Sequence, residues 1–221
     1  MTSNLLPAEL QHTTRKLRLV AILDSCRRAG LSPTNVSVVH SIAYLADALA
    51  PVWHLPILDG QLLKRSRRPF FPSLQSDLDK LVGCGLVGVA RFSYLHSEEA
   101  TGSELDADYY LIPEAAQRVI EVAQQFREQS RKLDFVREVV LAASGLGPVG
   151  IANVGLLDAA YSNPYVDVGE VLDIDKGAGT TNDSATTALR FAELTQGSLS
   201  LSDAEMVHLY VRHLYTRMQV A

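Results

Sequence analysis

The sequence predicts a mainly α protein: a winged helix (helix-turn-helix with a β-wing) followed by a helical C-terminal part. Three observations predict it. Leu74, Leu78, Leu81 and Val82 fall at i, i+4, i+7 and i+8, one apolar helical stripe, and Leu86 to Tyr94 follows directly as a run rich in valine and aromatics. A polar, acidic turn from His96 to Asp108 then leads to a second short run, Tyr109 to Ile112, which can pair back on the first. From Pro113 onward, apolar residues recur at helical spacing.

Taken in order, residues 1–16 read as an N-terminal arm, 17–112 as the winged-helix domain and 113–221 as a helical C-terminal domain. In the first helix Leu17, Leu19, Val20, Ile22, Leu23 and Cys26 alternate with Arg15, Lys16, Arg18, Arg27 and Arg28, and Gly30 is its stop. Ser32 to Asn35 form a turn and cap, and the second helix, Val36 to Leu49, ends before Pro51. Trp53, Leu55, Ile57 and Leu58 make an apolar connector broken by Pro51, Pro56 and the Asp59-Gly60 turn, with Trp53 plugging the small core. Pro72 fits the first turn of the next helix, where a missing N–H is harmless, and Gly83 and Gly85 end it as left-handed caps. Beyond Pro113, two helices joined near Ser130 are expected, then helices around 149–160, 184–196 and 203–218. An irregular loop spans 161–183, and Ser202 with Glu205 makes a capping box.

Composition narrows the function classes. With 221 residues, 47% hydrophobic and 20% charged, the chain can bury a core without staples. The net charge of -5 argues against a protein that coats nucleic acid over its whole surface, so any DNA contact must be a local basic patch. Cys26 and Cys84, the two cysteines, suit reduced thiols in a cytoplasmic protein better than a disulfide framework. No secretory leader or membrane-spanning run is read, and no cofactor signature.

Several motifs imitate chemistry. Gly145-Leu146-Gly147-Pro148-Val149-Gly150 is formally a dinucleotide fingerprint, but the run before it continues a helical period, so it reads as a helix cap and turn. Asp167, Glu170, Asp173 and Asp175 lack the order of a calcium loop and read as a solvated acidic loop. The six histidines show no zinc spacing; His40, on one helical face with Tyr44 and Asp47, reads as a hydrogen-bonded cluster. Ser144 and Cys84 lack the neighbours of a catalytic nucleophile. No metal site and no catalytic set is assigned.

The strongest polar signal is Lys64, Arg65, Arg67 and Arg68, four cations in five residues just before a helix, with Arg91 on the following strand. Such a cluster can straddle phosphates, and the helix after it would turn Gln75 and Lys80 to a groove, although Asp77 and Asp79 on that side repel phosphate. These seven residues are the candidate DNA contacts. The bland alternative is a solvated basic turn or a docking patch for an acidic protein.

The stretch Tyr44 to Val87 contains A-P-V-W, L-P, D-G with a following L-K, and P-S-L-Q-x-D-L-D-x-L-V. In these features the chain resembles the small accessory, or middle, components of bacterial ABC three-component systems, the Lamassu type of anti-phage defence. The likeness covers about a fifth of the chain closely and, more loosely, the winged-helix order through Ile112. It implies a non-catalytic subunit that works with an SMC-like, Rad50-like ATPase and an effector, usually a nuclease. No catalytic residue is carried over. The alternative expectation is a DNA-binding transcriptional regulator, a homodimer through the helices after Pro113.

Overall fold

In the computed structural model, which describes residues 8–66, 68–96, 103–175, 182–195 and 200–220, the first helix starts earlier than its apolar period suggests. Helix α1 is Ala8–Arg28. Residues 8–16, expected as an arm, are helical because the stretch holds no glycine or proline and because Arg15 and Arg18 face inward onto buried carboxylates. A pattern that scores arginine as surface starts the helix too late. At the other end, Gly30 takes φ +76°, and the N–H groups of Gly30 and Leu31 return to the carbonyls of Arg27 and Cys26, closing the last turn.

Strand β1, Thr34–Asn35, leads into helix α2, Val36–Leu49, whose N-cap is Asn35: its side chain accepts the N–H of Ser37 at 2.9 Å. Every residue of α2 except Ser37 is buried. A helix apolar all round must sit inside, and α2 is the axis on which the other helices pack. A 3-10 turn, Ala50–Trp53, continues it. By length and apolarity Val36–Trp53 would suffice to cross a bilayer, but 83% of it is buried in this protein's own core.

Strands β2, Gln61–Lys64, and β3, Pro69–Phe70, form a short hairpin, followed by helix α3, Pro72–Gly83. Leu74, Leu78 and Leu81 are buried as the stripe requires. Gly85, at φ +73°, makes the left-handed turn, whereas Gly83 remains in the helix. Strand β4, Val87–His96, pairs antiparallel with β5, Ser103–Leu111, so the second strand of this hairpin is much longer than the Tyr109 to Ile112 run expected. The alternation Leu105, Ala107, Tyr109, Leu111 places one face of β5 inward, and its acidic residues occupy the other; charge on one face hid the strand. β1 joins β5 on its far side, giving the order β1-β5-β4.

Helices α4, Pro113–Gln124, and α5, Arg127–Ser144, follow, with the break at Gln125 and Phe126 rather than near Ser130. Helix α6, Gly147–Val154, runs into a 3-10 turn, Gly155–Leu157. The expected loop 161–183 contains strand β6, Val171–Asp173, which pairs with β2 in a second sheet of order β3-β2-β6. Three residues are too few to show a period, and only β2 defines them as a strand. Helices α7, Asp183–Thr195, and α8, Asp203–Val220, complete the chain, the latter started by the capping box: Ser202 N–H donates to Glu205 Oε2 at 2.8 Å and Glu205 N–H to Ser202 Oγ at 3.3 Å. The protein is thus mainly helical with two small sheets. One hydrophobic core runs through both halves: α1 packs on α5, α2 on α6 and α7, and half-buried Trp53 on Phe135.

Candidate functional site

The basic cluster sits on the β2–β3 hairpin, and hairpin geometry decides where each cation goes. Lys64 Nζ donates to the carbonyls of Asn163 and Val166, both at 2.7 Å. Arg65 lays its guanidinium over the Phe70 ring, 3.7 Å from the centroid. Arg68 is 5% exposed and donates to Ser37 Oγ at 2.6 Å and to the Leu105 carbonyl at 3.1 Å. Arg67 lies outside the described residues. On the β4–β5 hairpin, Arg91 is bracketed by Asp106 and Asp108, each at 2.8 Å, and its hydrogen bonds hold the Asp108 carboxyl below its usual range.

On α3 the expected open face is partly turned in. Asp77 is fully buried: burial alone would raise its pKa, but donation from Arg15, His12 and Lys80 holds it lowered. Gln75 accepts from His40 Nε2 at 3.2 Å and donates to Asp79 and Tyr109. Lys80, its side chain 52% exposed, reaches solvent beside Asp77. The structure therefore gathers Gln75 and Lys80 on one helix and Lys64, Arg65 and Arg68 on the neighbouring hairpin. Arg91 belongs to the β4–β5 hairpin, and each described cation already has protein partners.

Where charge is neutralised, apolar surface is exposed. Phe92 and Tyr94 on β4 are 60% and 59% exposed, with ring centroids 5.2 Å apart in an edge-on pair. Val89 and Tyr110 are exposed on the same hairpin. Residues i and i+2 of a strand share a face, so Phe92 and Tyr94 project together from an edge strand.

A second constellation was not assembled from sequence. Arg15 is held bidentately by Asp59 and also by Asp77 at 2.6 Å; Arg18 joins Asp47 at 2.5 Å to Asp59 at 2.7 Å. All five side chains are buried. Burial first, and repulsion from Asp59 next, push the Asp47 carboxyl up to about 6 against the pull of Arg18. Among the described residues Arg18 Nε and Asp47 Oδ2 have no hydrogen-bond partner. The signal was present: Asp77 lies on the Leu74-Leu78-Leu81 stripe and Asp47 in an apolar helix, and an acid in such a place needs a buried cation. Which cation answers it depends on the packing of α1.

Beside this network opens a cleft of about 1070 Å³ between the first half of α1, the connector 55–61, the start of α5 and the end of β6. Leu55, Ile57, Leu58, Phe135 and Val136 supply its apolar wall, and Asp47, Asp59, Glu128, Asp173 and Asp175 its carboxylates. Among the described residues no group of three or more histidine, cysteine or acidic side chains is placed to hold a metal ion. The glycine motif at 145–150 joins α5 to α6, with Gly147 at φ +65°; the segment before it is helix, so the dinucleotide geometry is not formed. His40 is fully buried between Gln75 and the Phe71 N–H, and burial pulls its pKa down to about 3, a neutral structural imidazole. No protein family and no characterised protein sequence matches the chain.

Proposed function

We propose that this chain is a non-catalytic accessory subunit of a bacterial anti-phage defence complex, a winged-helix adaptor bridging an SMC-like ATPase and a nuclease-type effector in the cytoplasm. The winged-helix reading is supported by the element order α1-β1-α2-α3-β4-β5 and by the strand order β1-β5-β4, in which the short strand after the first helix pairs with the last strand of the wing. The resemblance over Tyr44 to Val87 supports the choice of partners.

One observation carries the preference for protein over DNA. The described basic residues that a phosphate backbone would use already have partners within the protein, while the β4–β5 hairpin exposes Phe92 and Tyr94. Desolvating an engaged arginine means breaking its ion pairs first, whereas two exposed aromatics on an edge strand gain by being covered. The test is co-expression with a neighbouring SMC-like ATPase and co-purification under mild salt. A complex that survives washing, and that Phe92→Ser with Tyr94→Ser weakens at least ten-fold, is expected. Failure of the wild-type chain to bind removes the reading.

The second reading, a homodimeric winged-helix DNA-binding regulator, is favoured by the exposed Lys80 on α3. It requires DNA affinity that falls steeply with salt, with a log-log slope reduced by about 1 in Lys80→Ala.

A further inference from the structure

We infer that the cleft between α1, the connector 55–61 and α5 binds a small organic cation, an alkylammonium or alkylguanidinium on an apolar stem. Its described lining carries two cations, Arg18 and Lys132, against five carboxylates. Both cations are already committed, Arg18 to Asp47 and Asp59 and Lys132 to Glu128 at 2.6 Å. Arg15, one layer behind, is shared between Asp59 and Asp77 and leaves the excess negative charge in place.

Asp47 is the second, independent observation. It lies on the inner wall, 1% exposed. Its Oδ1 accepts from Arg18 and from the Leu58 N–H at 3.1 Å, while its Oδ2 accepts from no group among the described residues. A buried carboxylate oxygen without a donor is costly. Arg18 Nε, also without a partner, is itself a donor and asks for no cation. Burial first, and repulsion from Asp59 after the opposing pull of Arg18, raise the Asp47 carboxyl as well. Asp173 and Asp175 stand at the mouth, where Asp173 accepts the Asp175 N–H and the Gln61 amide. A cation entering there meets carboxylates at the mouth and at the inner wall, with the apolar wall along its stem. A volume of about 1070 Å³ is at the upper end for small-molecule sites.

The experiment is an amide NMR titration of the full chain with n-hexylammonium chloride, with sodium hexanoate and 1-hexanol as stems of the same length, and with acetyl-Leu-Lys-Leu-amide as a peptide cation. Saturable shifts at Leu58, Gly60, Gln61 and Asp175 with hexylammonium, at least ten-fold tighter than with hexanoate or hexanol, are expected. Asp173→Asn with Asp175→Asn should weaken that binding several-fold while the urea midpoint stays in place, since the asparagine oxygen still accepts the Asp175 N–H and the exposed Gln61 amide can turn to accept from the new NH2. Three results would each overturn the inference: equal response to hexanoate, no saturable shift at the cleft, or a response to the lysine peptide without one to hexylammonium. None of them bears on whether the chain binds an ATPase.

Discussion

Asp158 shows how much a single buried side chain can organise. Fully buried, it accepts hydrogen bonds from the hydroxyls of Tyr44, Tyr210 and Ser184 and from the N–H groups of Ala160 and Tyr161. Those donors come from α2, α7, α8 and the segment after α6, so one carboxylate ties the C-terminal helices to the central one. Burial, and then the adjacent carboxylate, raise the pKa of both tyrosines, which keeps their protons available for donation. Asp158→Ala strands five donors at once and should lower the urea-derived unfolding free energy by about 3–5 kcal/mol. His40 gives a pH-dependent counterpart. Its folded pKa of about 3 lies below the unfolded value, so its contribution is intact above about pH 6.5 and is lost as pH falls and the unfolded chain takes up a proton. The stability gap between wild type and His40→Gln, measured by urea titration, should therefore shrink by about 2 kcal/mol from pH 6.5 to pH 5. His40 was legible as a hydrogen-bonded histidine because it shares a helical face with Tyr44 and Asp47. Asp158 was not, since its side-chain partners lie 26 to 114 residues away in sequence.

Elements were legible where their ends carry local chemistry. Gly30 and Gly85 stop α1 and α3 through positive φ, Asn35 caps α2, and Ser202 with Glu205 starts α8, each decided within a few residues. Ser202→Ala should lower stability by about 1 kcal/mol, with faster amide exchange confined to the first turn of α8. Elements made by a partner were missed. Strand β6 exists because β2 offers a free edge, and β5 reads as a polar turn until its inward alternation meets the core. The start of α1 belongs to the same class, since Arg15 is helical and buried only because Asp59 and Asp77 await it.

At the scale of the molecule, the elements up to Leu111 and the helices after Pro113 share one core. α5 covers α1, β6 completes the sheet begun by β2, and Asp158 reaches α2. A chain cut after Ile112 would expose the buried faces of α1 and α2 and leave β2 without β6. Residues 1–112 alone should give dispersed NMR signals for few if any residues and bind a hydrophobic dye, in contrast to the full chain. A cooperative urea transition for that fragment, matching the full chain, would show that the core is divisible.

The amino-acid order by itself determined the helical character, most helix ends, the strand after α3 and the helix cap and turn at Gly145, because period, caps and turn residues act over a few positions. Only the tertiary structure decided which cations face water. Whether Arg68 contacts solvent or Ser37, and whether Arg18 is surface or core, depends on carboxylates and carbonyls brought from distant elements, and charge carries no direction until the fold supplies one.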